Sequence, residues 1–184
     1  MQGAKLNSNV MKEAILLRDL LRKRGLKIVL AESCTAGRIA ASLGAIPGIS
    51  NFFCGSFVIY RNGSKTQWLG IPDEILSDPN VGPVSRQVSE LLAESILDHT
   101  DEADVALAIT GDIGPNAETG KDGHIYCGIQ ARGDRLVHSV EFQLKRPAPK
   151  DAEDVNGRID RLDEAVESAL RALIQFVSID PTID

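Results

Sequence analysis

Leu26-Lys27-Ile28-Val29-Leu30-Ala31, followed by Glu32-Ser33-Cys34-Thr35-Ala36-Gly37 and then Arg38-Ile39-Ala40-Ala41-Ser42-Leu43, is the stretch that decides the fold class. The first six residues are a short apolar run rich in β-formers and read as a buried strand. The middle six are small hydrogen-bonding residues. The last six suit a helix of small side chains, ended by Ile46-Pro47-Gly48. A strand, a tight polar turn and a helix in direct succession open a βα unit.

The pattern continues outward. Upstream, Asn7 or Ser8 caps a helix running to about Arg24, with Ala14, Leu17 and Leu21 on one face. Arg22-Lys23-Arg24 close it and Gly25 stops it. Downstream, strands are expected at Phe52–Tyr60, Val105–Thr110, Ile125–Arg132 and Leu136–Leu144, with a hairpin turn at Gly133-Asp134. Helices are expected at Ser64–Leu69, from a Ser85 cap to about His99, and at the end of the chain. There Ile159, Leu162, Val166, Ala169, Leu170, Leu173 and Val177 recur at spacings of three and four. Strands alternating with helices predict an α/β fold: a three-layer αβα sandwich with a mostly parallel sheet plus an antiparallel hairpin. One domain spanning residues 1–184 is expected, with tails at 1–8 and 179–184 and a linker at Arg146–Val155 between the last strand and the last helix.

Composition narrows the function. The 184 residues are 43% hydrophobic and 25% charged, enough for a core without metal or disulfide staples. Asp+Glu outnumber Lys+Arg by 26 to 20, a net charge of −6 that opposes a duplex-binding stripe. Aromatics at 4% supply no base-stacking platform, so nucleic acid is not an expected partner. No apolar run reaches the ~18–20 residues of a membrane span, and the first residues lack a signal-peptide core. Cys34, Cys54 and Cys127 form no CxxC pair and read as reduced thiols of a cytoplasmic protein. No zinc spacing, GxGxxG or P-loop is present, so neither a metal nor a cofactor is expected.

Ligands of open α/β sheets bind beyond the carboxyl ends of the strands, and three segments arrive there. Glu32–Gly37 offers backbone N–H groups at a helix start, suited to an anion or an oxyanion, and three nucleophiles in Ser33, Cys34 and Thr35. Serine and threonine are also the ordinary helix caps. Tyr60-Arg61-Asn62-Gly63-Ser64-Lys65 brings a lysine and a tyrosine. The three histidines, His99, His124 and His138, are poorly placed to activate Ser33, whereas a lysine serves as base once its pKa falls. Lowering it from ~10.4 to ~7 takes about 4–5 kcal/mol of differential interaction; most lysines are simply solvated. Thr110-Gly111-Asp112-Ile113-Gly114-Pro115-Asn116 follows an apolar strand, and its glycines permit close backbone approach or an ordinary turn.

Together these segments resemble the C-terminal domain of the CinA family. The family pattern ESCTGG corresponds to Glu32–Gly37. The pattern PGSSxxFxGGFVxYSNEAKxxxLGV corresponds to Pro47–Ile71, a family-like VS to Val84-Ser85, and ADxAxxxTGxxGP to Ala103–Pro115. The resemblance runs from about Leu17 to Leu173. Stand-alone members include the PncC-like nicotinamide mononucleotide amidases. The resemblance therefore implies an αβα sandwich that hydrolyses a nicotinamide carboxamide to nicotinic acid mononucleotide and ammonia in pyridine-nucleotide salvage. It also implies a serine–lysine site. Ser33 is then the nucleophile, Lys65 its base and Tyr60 an aid to the proton relay. Thr35, Ala36, Gly37, Asn62, Thr110, Gly111 and Arg158 are the substrate-binding residues. The expected partner is a small pyridine nucleotide. A homo-oligomer is also expected, although the apolar face of the last helix serves a core equally well.

The chain departs from the family pattern in places. Ala36 stands at the first glycine of GG, where its methyl group crowds the turn. Asp112 replaces an apolar residue. Asn116–Gly123 replaces a glycine-rich stretch that typically ends in Pro-Val-Gly. GDRxxVR is incomplete: gapless alignment puts Arg158 at its first arginine and Leu162 at its second, and a one-residue slip offers Arg161. These changes leave open an amidase of another amide, or a nucleotide-binding or regulatory module without catalysis.

Overall fold

The computed structural model describes residues 7–117 and 120–179; most of both expected tails lies outside them. The side chain of Asn7 accepts the Asn9 N–H (2.9 Å) and caps α1 (Ser8–Arg24), so Ser8 is already helical. Gly25 ends α1 in the left-handed conformation. β1 (Ile28–Glu32) is buried throughout and runs one residue beyond the apolar stretch, because Glu32 still pairs with Val58 on one side and Ile109 on the other. α2 (Arg38–Gly44) and a single 3-10 turn at Ile49–Asn51 lead to β2 (Phe53–Val58). α3 (Asn62–Leu69) starts two residues before the expected Ser64, because the Arg61 carbonyl takes up the Ser64 and Lys65 N–H groups. α4 (Asp73–Ser77) was not expected; only Leu76 of its five residues is buried. α5 (Arg86–Asp98) follows the Ser85 cap, whose hydroxyl accepts the Val88 N–H (3.3 Å). β3 (Val105–Gly111), β4 (His124–Ala131), β5 (His138–Gln143) and α6 (Val155–Ile179) complete the chain.

The sheet order is β2-β1-β3-β4-β5. β1 pairs in parallel with β2 and β3, β4 is antiparallel to β3, and β5 is antiparallel to β4. Four strands therefore share one direction and β4 opposes them, as expected of a mostly parallel sheet with a hairpin. Strand alternation divides the core in two. Ile28, Leu30, Val105, Leu107 and Ile109 face α1, α2 and α6, while Val29, Ala31, Ala106 and Ala108 face α3, α4 and α5. Gly128 lets α5 lie directly on β4, since a Cβ there would sit 2.3 Å from the Ser89 carbonyl oxygen. Arg38 on α2 binds Asp163 on α6 (2.5 Å), and Arg171 on α6 binds Glu13 on α1 (2.8 Å).

The burial of α6 begins at Arg161. Ile159, expected to face inward, is 37% exposed because the first turn of α6 projects past the core toward the carboxyl edge of the sheet. The 146–155 linker is tied down rather than loose. Glu164 accepts the Lys145 and Arg146 N–H groups, and Pro149 is buried. Among the described residues no helix is long and apolar enough to cross a membrane.

Candidate active site

The turn after β1 is built around a buried carboxylate. Glu32 is fully inaccessible. Its Oε2 accepts the Thr35 hydroxyl (2.8 Å) and the Ile39 N–H (2.9 Å); its Oε1 accepts the Ala40 N–H (2.9 Å) and the Ser56 hydroxyl (3.1 Å). A carboxylate at a helix start satisfies orphan N–H groups and suits the positive end of the dipole. Glu32 was missed as a structural residue because three of its four partners lie on β2 and the first turn of α2, beyond local spacing.

Ser33 is fixed by its backbone on both sides. Its N–H donates to the Ile109 carbonyl (3.1 Å), and its own carbonyl accepts the Ala36 N–H (3.1 Å). Ala36 and Gly37 take the left-handed conformation in succession, with φ of 51° and 89°. The Ala36 methyl is exposed rather than crowded, so its cost is backbone strain alone.

A cavity of about 320 Å³ opens at the carboxyl edge of β1, β2 and β3. It brings together seven of the ten residues singled out in the sequence: Ser33, Tyr60, Asn62, Lys65, Thr110, Gly111 and Arg158. Thr35, Ala36 and Gly37 are not among its lining residues. Cys34, Pro83, Val84, and residues 112–115 complete the wall; the Val84-Ser85 pair was the sequence signal for the 83–84 stretch.

The three nucleophiles of the turn are not equivalent. The Thr35 hydroxyl is bonded to Glu32. Cys34 is buried, which pushes its thiol up to about 12 and keeps it protonated. Ser33 lines the cavity at the same 7% exposure as Cys34, and its hydroxyl does not share the Thr35 bond to Glu32. Lys65 is 2% exposed and donates to Asn62 Oδ1 (3.3 Å). Burial lowers its pKa, with Cys34 opposing the shift weakly. No carboxylate among the described residues pairs with it, so the ammonium is disfavoured.

Arg158 lines the same cavity. Arg158 donates to the Tyr60 hydroxyl oxygen (3.0 Å) and to the Gly114 carbonyl. Tyr60 is 52% exposed, at the mouth. Arg161 sits behind the wall, 3% exposed and paired with Asp122, so of the two candidate arginines only Arg158 faces the cavity. Thr110 and Gly111 shape the site for reasons of packing. The Thr110 hydroxyl donates to the Pro83 carbonyl (2.7 Å) and ties down the 83–84 stretch. A Cβ at Gly111 would lie 2.3 Å from Ile125 Cδ1, so β4 requires glycine there. Asp112 also lines the cavity, with Oδ1 accepting the Gly114 N–H (2.8 Å).

The arrangement is that of an α/β protein with a polar cleft at the carboxyl edge of its parallel strands. Residues 11–175 match the CinA C-terminal domain, and the chain belongs to that family. A protein named for competence-damage induction, from Caldicellulosiruptor saccharolyticus, is 35% identical over 159 residues, 82% of this chain and 37% of that protein. A CinA-like protein of Myxococcus xanthus is 37% identical over 122 residues, 65% of this chain and 28% of that protein. The chain thus spans about a third of the length of these curated relatives. The crystal structure of competence/damage inducible protein CihA from Agrobacterium tumefaciens superposes with a TM-score of 0.79 at 28% identity, covering 94% of this chain and 98% of that one. A competence or damage-inducible protein from Enterobacter asburiae gives a TM-score of 0.78 at 25% identity, covering 93% and 99%.

Proposed function

We propose that the chain is an amidohydrolase that converts nicotinamide mononucleotide to nicotinic acid mononucleotide and ammonia. The observation that carries this reading is a lysine disfavoured as ammonium lining one polar cavity with Ser33, faced by Arg158. A serine needs a base to attack an amide, and a desolvated lysine is one.

In this mechanism the Ser33 hydroxyl attacks the carboxamide carbon and its proton passes to Lys65. The carbonyl oxygen becomes an oxyanion. The Ser33 and Ala36 N–H groups are already bonded and Thr35–Gly37 do not line the cavity, so within this turn the oxyanion falls to the Cys34 N–H. Lys65 returns the proton to the departing nitrogen, which leaves as ammonia, and water then releases the acyl group from Ser33. Tyr60 accepts from Arg158 and keeps its own proton to donate, which suits it to the relay. Arg158 offers charge-assisted hydrogen bonds to the phosphate. Asn62 accepts from Lys65, which leaves its amide N–H groups for substrate.

Ammonia release from nicotinamide mononucleotide by the purified chain tests the reading. Release is expected from the native sequence, with a loss of about a thousandfold or more in Ser33→Ala. An unchanged rate in that variant would overturn the mechanism. A second reading, an amidase for a different amide, rests on Asp112, whose carboxylate opposes a phosphate. A panel of amides in which nicotinamide mononucleotide is the best substrate removes it.

A further inference from the structure

Two arginines of α6, three residues apart, grip consecutive carbonyls of the same wall. Arg158 donates to Gly114 O, and Arg161 Nη1 donates to Ile113 O (3.3 Å). Arg158 lines the cavity; Arg161 does not. Arg161 instead makes a two-pronged ion pair with Asp122, Nη1 to Oδ1 at 2.6 Å and Nη2 to Oδ2 at 2.8 Å. Its Nε donates to the carbonyls of Arg146 (3.0 Å) and Pro147 (3.1 Å). The pair is wedged between two glycines. A Cβ on Gly114 would lie 3.1 Å from Asp122 Oδ1 and 3.6 Å from Arg161 Nη1; one on Gly123 would lie 3.6 Å from Arg161 Nη2. Arg161 thus ties both ends of the 112–123 loop and the 146–147 linker to α6. Asp122 is held as a carboxylate, its pKa lowered chiefly by the hydrogen bonds from Arg161.

We propose that Arg161 and Asp122 are positioning residues of the site: by clamping the 113–114 wall to α6 they fix Arg158, and through it the grip on the phosphate end of the substrate. The proposal rests on the reading of Arg158 as the phosphate donor. Neither Arg161 nor Asp122 touches the cavity. A buried arginine fork sets geometry more narrowly than an apolar contact, because its N–H groups point in fixed directions.

The test compares dissociation constants for nicotinamide mononucleotide and for nicotinamide riboside, which lacks the phosphate, on the full chain carrying Ser33→Ala to stop turnover. Arg158→Ala, Arg161→Val, their combination, and Asp122→Val with Arg161→Val are each added to it. Arg161→Val is expected to weaken mononucleotide binding about tenfold and to leave riboside binding within about twofold. Combining it with Arg158→Ala should cost less than the two effects summed. The double-valine variant puts an apolar contact in place of the ion pair and is expected to fold while still binding the mononucleotide less tightly. Equal losses for both ligands, additivity with Arg158→Ala, or native affinity in a folded double-valine variant overturns the positioning role alone. Mononucleotide binding indifferent to Arg158→Ala overturns the phosphate reading and this proposal with it.

Discussion

At the scale of single residues, Lys65 carries the sharpest consequence. Its burial places an amine where the ammonium is costly, and its pKa falls below the usual 10.5. As a base it must be unprotonated, so kcat/KM is expected to rise with pH through an apparent pKa below 10.5. Lys65→Arg, which stays protonated, should be inactive across the range. Stability responds in the same direction. The cost of the buried ammonium is fully present below the folded-state pKa and disappears as pH rises toward the unfolded value. Lys65→Met should therefore stabilise the fold at pH 7 by roughly 0.5–2 kcal/mol, and that gain should shrink by pH 10. Thermal melts at the two pH values check this; a Lys65→Met variant less stable than native at pH 7 would mean the site favours the ammonium. Spacing alone left Ser33, Cys34 and Thr35 open as nucleophiles, and only the family resemblance chose Ser33. That distinction depends on where the Thr35 hydroxyl points and how dry the Cys34 sulfur is, neither of which spacing encodes.

At the scale of elements, the βα turn depends on Glu32. Four donors converge on its two oxygens, so glutamine is not a neutral replacement: its NH2 would face two N–H or O–H groups. Glu32→Gln is expected to cost about 1–3 kcal/mol, and Glu32→Ala more, read from urea unfolding. Both should lower turnover, because the start of α2 and the Ser33 turn share this anchor. Native stability in Glu32→Gln would show that the carboxylate does not organise the turn. The long elements were legible because their periodicity is strong: α1 buries Ala14, Leu17 and Leu21, and α6 buries Val166, Ala169, Leu170, Leu173 and Val177 while leaving Leu162 half-buried and Ile159 exposed. α4 was not, since five residues give no helical period. β5 starts at His138 rather than Leu136, which is 83% exposed, because the β4–β5 ladder ends at Ile129 and His138 while Gln130 and Ala131 pair only with β3.

At the scale of the whole molecule, the alternation of strand and helix made the layered architecture legible, but not the strand order. Placing β1 between β2 and β3 requires the chain to leave β2, cross over β1 and lay β3 on its far side, a choice made by packing and not by any local signal. That order has an energetic corollary. β1 and β3 each present one set of side chains to the α1/α2/α6 layer and the alternate set to the α3/α4/α5 layer. Neither layer can lose its sheet without removing the other's floor, so the two cores should unfold together. The single tryptophan, Trp68, is 54% exposed on α3, and its fluorescence follows the undocking of that helix from the second layer. Leu17 on α1 is fully buried in the first. Leu17→Ala removes apolar contact and leaves a cavity, expected to cost about 2–5 kcal/mol. The urea midpoint followed by Trp68 fluorescence should then fall as far as the midpoint followed by far-ultraviolet circular dichroism. If the tryptophan transition stays in place while the dichroism midpoint falls, the α3/α4/α5 layer holds the sheet on its own and the two cores are not one cooperative unit.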